Sequence, residues 1–191
     1  MGALQVLKEL RGGADAVIAA FLEVPAGELL IAAADALPPL LTADNCEPLF
    51  RTDLPPERQD EATAALVVGG VHDPRLVERL RDLLVRDPSL TADLCAIYGD
   101  PALVPDVAAA FDRCLKHLDE LQQYGIAAEL VVTLAALGAR DEGRERRLTA
   151  AMAAVDAQLR EPGVPELAGV REVLGDLTTY VHEAVAAYGR R

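Results

Sequence analysis

The side chains that could act as nucleophiles are one serine and three cysteines. Ser89 is the only serine of the chain, and it lacks the Gly-x-Ser-x-Gly elbow that exposes a hydrolase nucleophile. Cys95 and Cys114 fall on apolar positions of helical patterns, and Cys46 lies in an irregular segment. Buried, reduced thiols are therefore expected, and Cys46 is the one thiol to test for reactivity.

Metal, acid-base and phosphate chemistry have no matching pattern in the sequence. His72, His117 and His182 lie in separate segments, and none has HExxH or Glu-x-x-His spacing. Adjacent acids such as Asp60 and Glu61 point about 100° apart on a helix, so they do not converge on one substrate atom. The two Gly-Gly pairs lack the following Gly-Lys of a phosphate loop. The sequence therefore predicts no catalytic residue, no metal site and no cofactor.

The charge balance restricts the class of partner. The chain of 191 residues carries a formal net charge of −13, with a sequence pI near 4.6. This negative field opposes phosphate backbones and anionic lipid, so no nucleic-acid or membrane partner is expected, whereas a basic protein would be attracted. No signal-peptide pattern and no uncharged stretch of about 20 residues occurs, which predicts a cytoplasmic location.

The helices that must position these side chains are predicted from three Asp-Pro dipeptides. They begin at Asp73, Asp87 and Asp100, at intervals of 14 and 13 residues. Asp is a strong helix N-cap, and Pro at the first helical position gives up a donor that the helix does not need. Each dipeptide therefore predicts the start of a short helix, although Pro105 favours a short turn before the third helix. Apolar residues at helical spacing follow each start, and the sequence predicts an all-α fold.

Two segments repeat with a period of 27 residues, ALVVGGVHDPRLVERLRDLL and LCAIYGDPALVPDVAAAF. They resemble the short HEAT-like repeats of bacterial proteins, in which a first helix ends at Gly-Asp-Pro and a second begins near Val-Pro. The similarity covers residues 57–122, extends more weakly over 124–160, and departs from the pattern at His72 and Glu78. It implies an α-α superhelix, a solenoid of stacked antiparallel helix pairs.

The remaining segments are expected to cap this solenoid, which is predicted to form one domain over residues 1–191. Residues 1–56 predict three short capping helices and an irregular stretch, 42–56, as a loop or functional protrusion. Residues 57–160 predict the helix pairs, and residues 161–191 predict a C-terminal capping helix, because terminal repeats must cover their apolar faces.

The function predicted is a non-enzymatic protein-protein interaction scaffold or adaptor of unspecified oligomeric state. Two alternatives stay open: an acidic inhibitor or immunity protein that masks a basic toxin or nuclease, and a small-molecule binder or enzyme with a pocket between the N-terminal helices and the Cys46 segment. In HEAT-like stacks the second helix of each pair usually lines the binding face. The resemblance thereby assigns partner binding to Arg79, Asp82, Arg86, Asp106 and Arg113.

Charge reversal at Arg79 or Arg113, as in Arg113→Glu, is expected to weaken binding of a partner while leaving the fold intact. The expectation follows because these arginines fall on the predicted binding face and outside the apolar stripes. A binding titration together with far-UV circular dichroism checks it, and unchanged affinity would count against the assignment.

Overall fold

The computed structural model describes residues 13–24, 28–118, 120–160 and 168–188. Within these ranges every regular element is a helix, so the predicted all-α class is confirmed for them. No helix among them is both long and apolar enough to cross a membrane. The nine α-helices of the described ranges are α1 (Gly13–Glu23), α2 (Glu28–Ala36), α3 (Pro56–Val68), α4 (Pro74–Arg86), α5 (Pro88–Tyr98), α6 (Val104–Cys114), α7 (Leu121–Ala136), α8 (Glu142–Gln158) and α9 (Ala168–Tyr188).

The Asp-Pro dipeptides begin helices as the sequence predicts. α4 and α5 each begin at the proline of such a pair, and the Asp87 carboxylate accepts a hydrogen bond from the Leu90 N–H at 3.1 Å. The third pair opens a 3-10 turn, Pro101–Leu103, and α6 follows at Val104, one residue before the predicted Pro105. Local capping chemistry thus sets these three boundaries.

Two compact units make up the chain, Met1–Leu80 and Arg81–Arg191, and the division falls within α4. The prediction of one domain over residues 1–191 concerns cooperative folding and stays a prediction. The first of the three predicted N-terminal helices lies outside the described residues, as do residues 161–167 of the predicted C-terminal cap. The other two N-terminal helices correspond to α1 and α2.

In the first unit a buried arginine donates hydrogen bonds to backbone carbonyls at the end of a helix. Arg58 of α3 donates hydrogen bonds to the carbonyl oxygens of Phe21 and Val24, at the C-terminal end of α1. The last carbonyls of a helix have no partner within it, and they form the negative end of its dipole. The Arg58 guanidinium therefore satisfies these carbonyls and neutralises their charge, which ties α3 to α1.

The irregular stretch 42–56 is an ordered loop of the first unit. The Asn45 side chain accepts a hydrogen bond from the Thr42 N–H at 2.8 Å and donates one to the Leu40 carbonyl at 2.9 Å. A 3-10 helix follows at Glu47–Phe50. Apolar residues of this stretch are buried, namely Cys46, Leu49, Phe50 and Leu54. The loop is thus held by its own hydrogen bonds and by burial, and its predicted functional role stays a prediction.

The second unit is organised around α7. Its buried residues include the runs 126–128 and 130–135, so α7 is buried on every side along these turns. α5, α6, α8 and α9 all pack against it. The Thr133 hydroxyl donates a buried hydrogen bond to the Ala92 carbonyl of α5 at 3.0 Å. A helix that is apolar all round must lie inside a structure, and α7 is therefore the core element of this unit.

Gly69 offers a test of packing in the first unit. A Cβ atom there would lie 2.9 Å from the Pro38 carbonyl oxygen and 3.0 Å from that of Ala65, and neither backbone atom can move aside cheaply. We expect Gly69→Ala to lower the free energy of unfolding by about 1–3 kcal/mol. The matched control is Gly175→Ala in α9, where the added Cβ meets no atom within 4 Å. That change is expected to stabilise by up to about 1 kcal/mol. Urea denaturation followed by circular dichroism measures the free energy of unfolding of both variants. An unchanged value for Gly69→Ala would contradict the close approach of Gly69 to the Pro38 and Ala65 carbonyl oxygens.

Candidate functional site

The five charged residues predicted to bind a partner are distributed over both units. Arg79 lies in the first unit, where it is half-buried and donates a hydrogen bond to the Leu49 carbonyl at 2.9 Å. Its guanidinium also lies 5.2 Å from the centre of the Phe50 ring. Arg79 thus holds the loop 42–56, and its reversal would disturb stability as well as affinity.

The other four lie in the second unit, on α4 and α6. Asp82 and Arg86 are exposed. Asp106 forms an ion pair with Arg81 at 2.9 Å, and Arg113 donates to the Leu84 carbonyl at 3.3 Å. Asp106 and Arg113 therefore join α6 to the end of α4. The predicted role of all five residues in partner binding stays a prediction.

Ion pairs continue from α6 to α8. Asp112 of α6 accepts hydrogen bonds from Arg144 at 2.7 Å and from Arg147 at 2.9 Å. Burial pushes the pKa of Asp112 upward, but the hydrogen bonds from the two arginines outweigh it and lower the pKa overall. Arg144 also pairs with Asp141, the N-cap of α8. These charged residues pair with one another within the protein, and the pairs link the even-numbered helices α6 and α8.

The nucleophile candidates lie in unreactive surroundings. All three cysteines are free and buried. Burial raises the pKa of Cys95 to about 12, and it also raises the pKa of Cys46 and Cys114. Because the thiolate is the reactive species, Cys46 is a poor nucleophile at neutral pH. Among the described residues, no three metal-binding side chains converge.

Each of the two units has a cavity among its described residues. In the first unit a cavity of about 190 Å³ lies at Asp35 and Glu61, near the N-terminal helices. In the second, a groove of about 580 Å³ lies between α8 and α9, where Asp156 pairs with both Arg160 and Arg171 at 2.5 and 2.9 Å. Asp156, Arg160 and Arg171 of this groove therefore already have partners.

A different surface of the second unit exposes apolar side chains. Leu90 and Ile97 of α5 are 52% and 58% exposed, and Val173 and Tyr180 of α9 are 41% and 42% exposed. In each helix the two residues are seven positions apart, so they lie on one side. Leu90 and Ile97 are among the apolar residues that follow the Asp87-Pro88 helix start, but they lie on the exposed side of α5.

A cavity of about 320 Å³ lies between α5, α7 and α9, and of these four residues only Val173 lines it. We call it the α5–α7–α9 groove. Gly125 of α7 lies in it, and a Cβ at this position would meet no atom within 4 Å. The groove is lined by Ser89, Leu121, Gln122, Gly125, Ile126, Glu129, Val173 and Leu177.

The electrostatics of the groove are entirely acidic. The Oε2 atom of Glu129 is buried, and no hydrogen-bond partner for it exists among the described residues. Burial raises the pKa of Glu129, and the negative charge of Asp93 raises it further. Burial likewise raises the pKa of Tyr180, with further contributions from Asp93 and Glu129. Asp93 of α5, Glu129 of α7 and Tyr180 of α9 therefore lie close enough to influence one another.

Basic residues are absent from the sequences of α5 and α7, whereas α4 has four arginines and α8 three. α9 contains only Arg171, which pairs with Asp156, and His182. The sequence itself shows this alternation of basic residues. The resemblance to HEAT-like repeats, however, assigned partner binding to the second helix of each pair. The groove is thus a surface that the sequence analysis missed.

The described ranges define an all-α protein whose second unit exposes an apolar and acidic groove. No family model matches the sequence, and no curated protein or solved structure matches it.

Substitution of Glu129 tests the electrostatics of the groove. A carboxyl group whose pKa is higher in the folded than in the unfolded chain costs stability above its folded pKa, and this cost disappears as the pH falls through that pKa. We expect Glu129→Gln to raise the melting temperature at pH 7.5 by about 2–4 °C, and the gain to shrink towards about pH 4.

Thermal unfolding at the two pH values measures this difference. The contrasting variant is Asp112→Asn, which removes a carboxylate with a lowered pKa and is expected to destabilise at pH 7.5. An equal effect of Glu129→Gln at both pH values would contradict the assignment.

Proposed function

We propose that the protein is a non-enzymatic interaction scaffold of helical-repeat type, and that the α5–α7–α9 groove is its recognition surface. The observation that carries the proposal is an apolar groove whose lining includes two exposed large apolar side chains, Leu121 of α7 and Val173 of α9. Contiguous exposed apolar surface rimmed by polar residues is typical of protein interaction sites.

The contacts of α7 support the repeat-type part of the proposal. α7 packs against its chain neighbours α6 and α8, and also against α5 and α9, the next odd-numbered helices. Ion pairs link α4 to α6 and α6 to α8. In stacked helix pairs, first helices neighbour first helices and second helices neighbour second helices, which is the order of these contacts.

The distribution of charge supports the choice of groove. On the even-numbered helices Asp106 and Asp112 are paired with arginines of the same unit. A partner that bound there would have to compete with these pairs. Leu121 and Val173 line the groove, are exposed, and would be removed from water by a partner.

The acidic character of the groove also favours the second candidate function, an acidic inhibitor of a basic protein. Both candidates share the same surface, and they differ only in whether binding blocks the partner's activity. The cavity near the N-terminal helices, about 190 Å³, is smaller than the roughly 300–1,000 Å³ of typical small-molecule sites. It therefore gives the small-molecule alternative little support.

A paired substitution experiment tests the proposal. The intact chain is used to isolate partners from its native host, as wild type, as Val173→Arg and as Val85→Arg. Val173 lines the groove, whereas Val85 of α4 is 71% exposed and does not line it, so Val85→Arg is a matched valine-to-arginine control. We expect a stoichiometric polypeptide partner that is retained by Val85→Arg and lost, by about tenfold or more in affinity, with Val173→Arg.

The recovered partner is then purified and its affinity for the three proteins measured by calorimetry. Equal affinity for wild type and Val173→Arg would contradict the choice of surface. Loss with Val85→Arg alone would favour the even-numbered helices instead. An assay of the partner's own activity, with and without the scaffold, separates the adaptor from the inhibitor.

A further inference from the structure

The groove between α8 and α9 has the size of a small-molecule site. Its volume of about 580 Å³ falls within the roughly 300–1,000 Å³ that is typical of such sites, and we call it the α8–α9 groove. Two buried apolar side chains line it, Met152 of α8 and Leu174 of α9. Gly175 also lines it, and a Cβ atom there would meet no atom within 4 Å. The groove therefore offers an apolar surface and open space to a ligand.

Two guanidinium groups lie beside one carboxylate at the polar end of the α8–α9 groove. Asp156 of α8 accepts a hydrogen bond from Arg160 at 2.5 Å and another from Arg171 of α9 at 2.9 Å. All three residues line the groove. Hydrogen bonds from Arg171 and Arg160 lower the pKa of Asp156, so its carboxylate is ionised at neutral pH. One carboxylate thus holds two guanidinium groups from different helices close together.

Both guanidinium groups keep hydrogen-bond donors for a ligand. A guanidinium has five N–H donors, and Arg160 and Arg171 each use one nitrogen on Asp156. Neither arginine makes a further hydrogen bond among the residues that the structure describes. Two positive charges beside one negative charge leave a local surplus of one positive charge. The planar fork of a guanidinium matches the oxygen atoms of a carboxylate or a phosphate.

The negative charges elsewhere in the protein oppose an anion only weakly at this place. Glu172 of α9 also lines the groove, but it is exposed, and water reduces its repulsion. Charges more than about 8 Å away are largely screened at physiological salt. The net charge of −13 therefore acts less on a ligand than direct hydrogen bonds from Arg160 and Arg171 do.

We infer that the α8–α9 groove binds a small amphipathic anion, whose carboxylate or phosphate group accepts hydrogen bonds from Arg160 and Arg171 and whose apolar part contacts Met152 and Leu174. Met152 and Asp156 are one helical turn apart, or roughly 5 Å, so a short ligand reaches both ends. No residue that lines this groove also lines the α5–α7–α9 groove. The inference therefore goes beyond the proposed scaffold function and does not depend on it.

Four probes with the same alkyl chain test the inference on the intact chain. Octanoate and octyl phosphate have an anionic head group, octylamine has a cationic one, and octanol has a neutral one. Isothermal titration calorimetry at physiological salt measures their affinities. We expect at least one of the two anions to bind about tenfold or more tightly than octylamine and octanol. The ratio between octanoate and octyl phosphate identifies the preferred head group.

Matched charge variants test the role of the guanidinium groups. Arg171→Gln and Arg147→Gln each remove one positive charge and one ion pair with an aspartate, but Arg147 does not line the groove. We expect Arg171→Gln to weaken binding of the preferred anion by about fivefold or more, and Arg147→Gln by less than about twofold.

A second pair of variants tests the location of the alkyl chain. Gly175→Leu fills the groove and is expected to abolish binding, whereas Gly169→Leu is expected to leave it unchanged. Gly169 of α9 has equally open space for a Cβ atom and does not line the groove. Circular dichroism verifies that each variant is folded. In nuclear magnetic resonance spectra the preferred anion is expected to shift the signals of Gly175 and Met152.

Several outcomes overturn the inference. Equal affinity for octanol would mean that the groove recognises only the alkyl chain. Tighter binding of octylamine, lost in Glu172→Gln, would mean that the occupant is a cation. Equal weakening by Arg171→Gln and Arg147→Gln would mean general attraction to positive charge, and unchanged binding to Gly175→Leu would place the anion elsewhere. If no probe binds, the inference fails, while a native partner that depends on Val173 would still support the scaffold function.

Discussion

A helix that is apolar on every side is stable in water only if other helices cover it, and α7 places this constraint on the second unit. The runs 126–128 and 130–135 are buried along its length. A single neighbouring helix covers one stripe of another, so several helices are needed to remove α7 from water. α5, α6, α8 and α9 all take part. The groove exists because this cover is incomplete over Gly125 and Glu129 of α7, between α5 and α9.

The cover of α7 also explains how charge is distributed in the second unit. The helices that carry most of the arginines, α4 and α8, are joined through α6 by ion pairs at Asp106 and Asp112. Individually such half-exposed pairs contribute only about 0–1 kcal/mol. Their geometric role is to fix which side of each helix faces its neighbour. The sequences of α5 and α7 contain no basic residue, and their only charged residues are Asp93 and Glu129.

The sequence predicts the local features of this fold well and the candidate recognition surface poorly, for a physical reason. The start of α5 depends on Asp87 and Pro88, which are adjacent in the chain, so capping chemistry is sufficient to place it. The stripe of α4 residues is buried as periodicity predicts, with Leu76, Leu80 and Leu83 inside. Exposure of Val173 in the groove is different, because it depends on where α5 and α7 lie, and a single helical pattern does not contain that information. Arg58 is also missed, since its acceptors on α1 are 34 and 37 residues away in sequence.

Glu129 is the residue at which stability and function give opposite expectations. Three buried side-chain polar atoms of the described residues have no partner, the Nε atoms of Arg58 and Arg144 and the Oε2 atom of Glu129. The two arginines use their other nitrogens in hydrogen bonds or ion pairs, so their guanidinium charges are compensated. Glu129 instead has the negative charge of Asp93 nearby, which disfavours its ionised form. A glutamine or leucine would suit a purely structural role better at this position, because neither carries a charge into a partly buried site. The carboxylate therefore costs stability in the protein alone, and the proposed recognition role is the one under which a partner's cation would offset that cost.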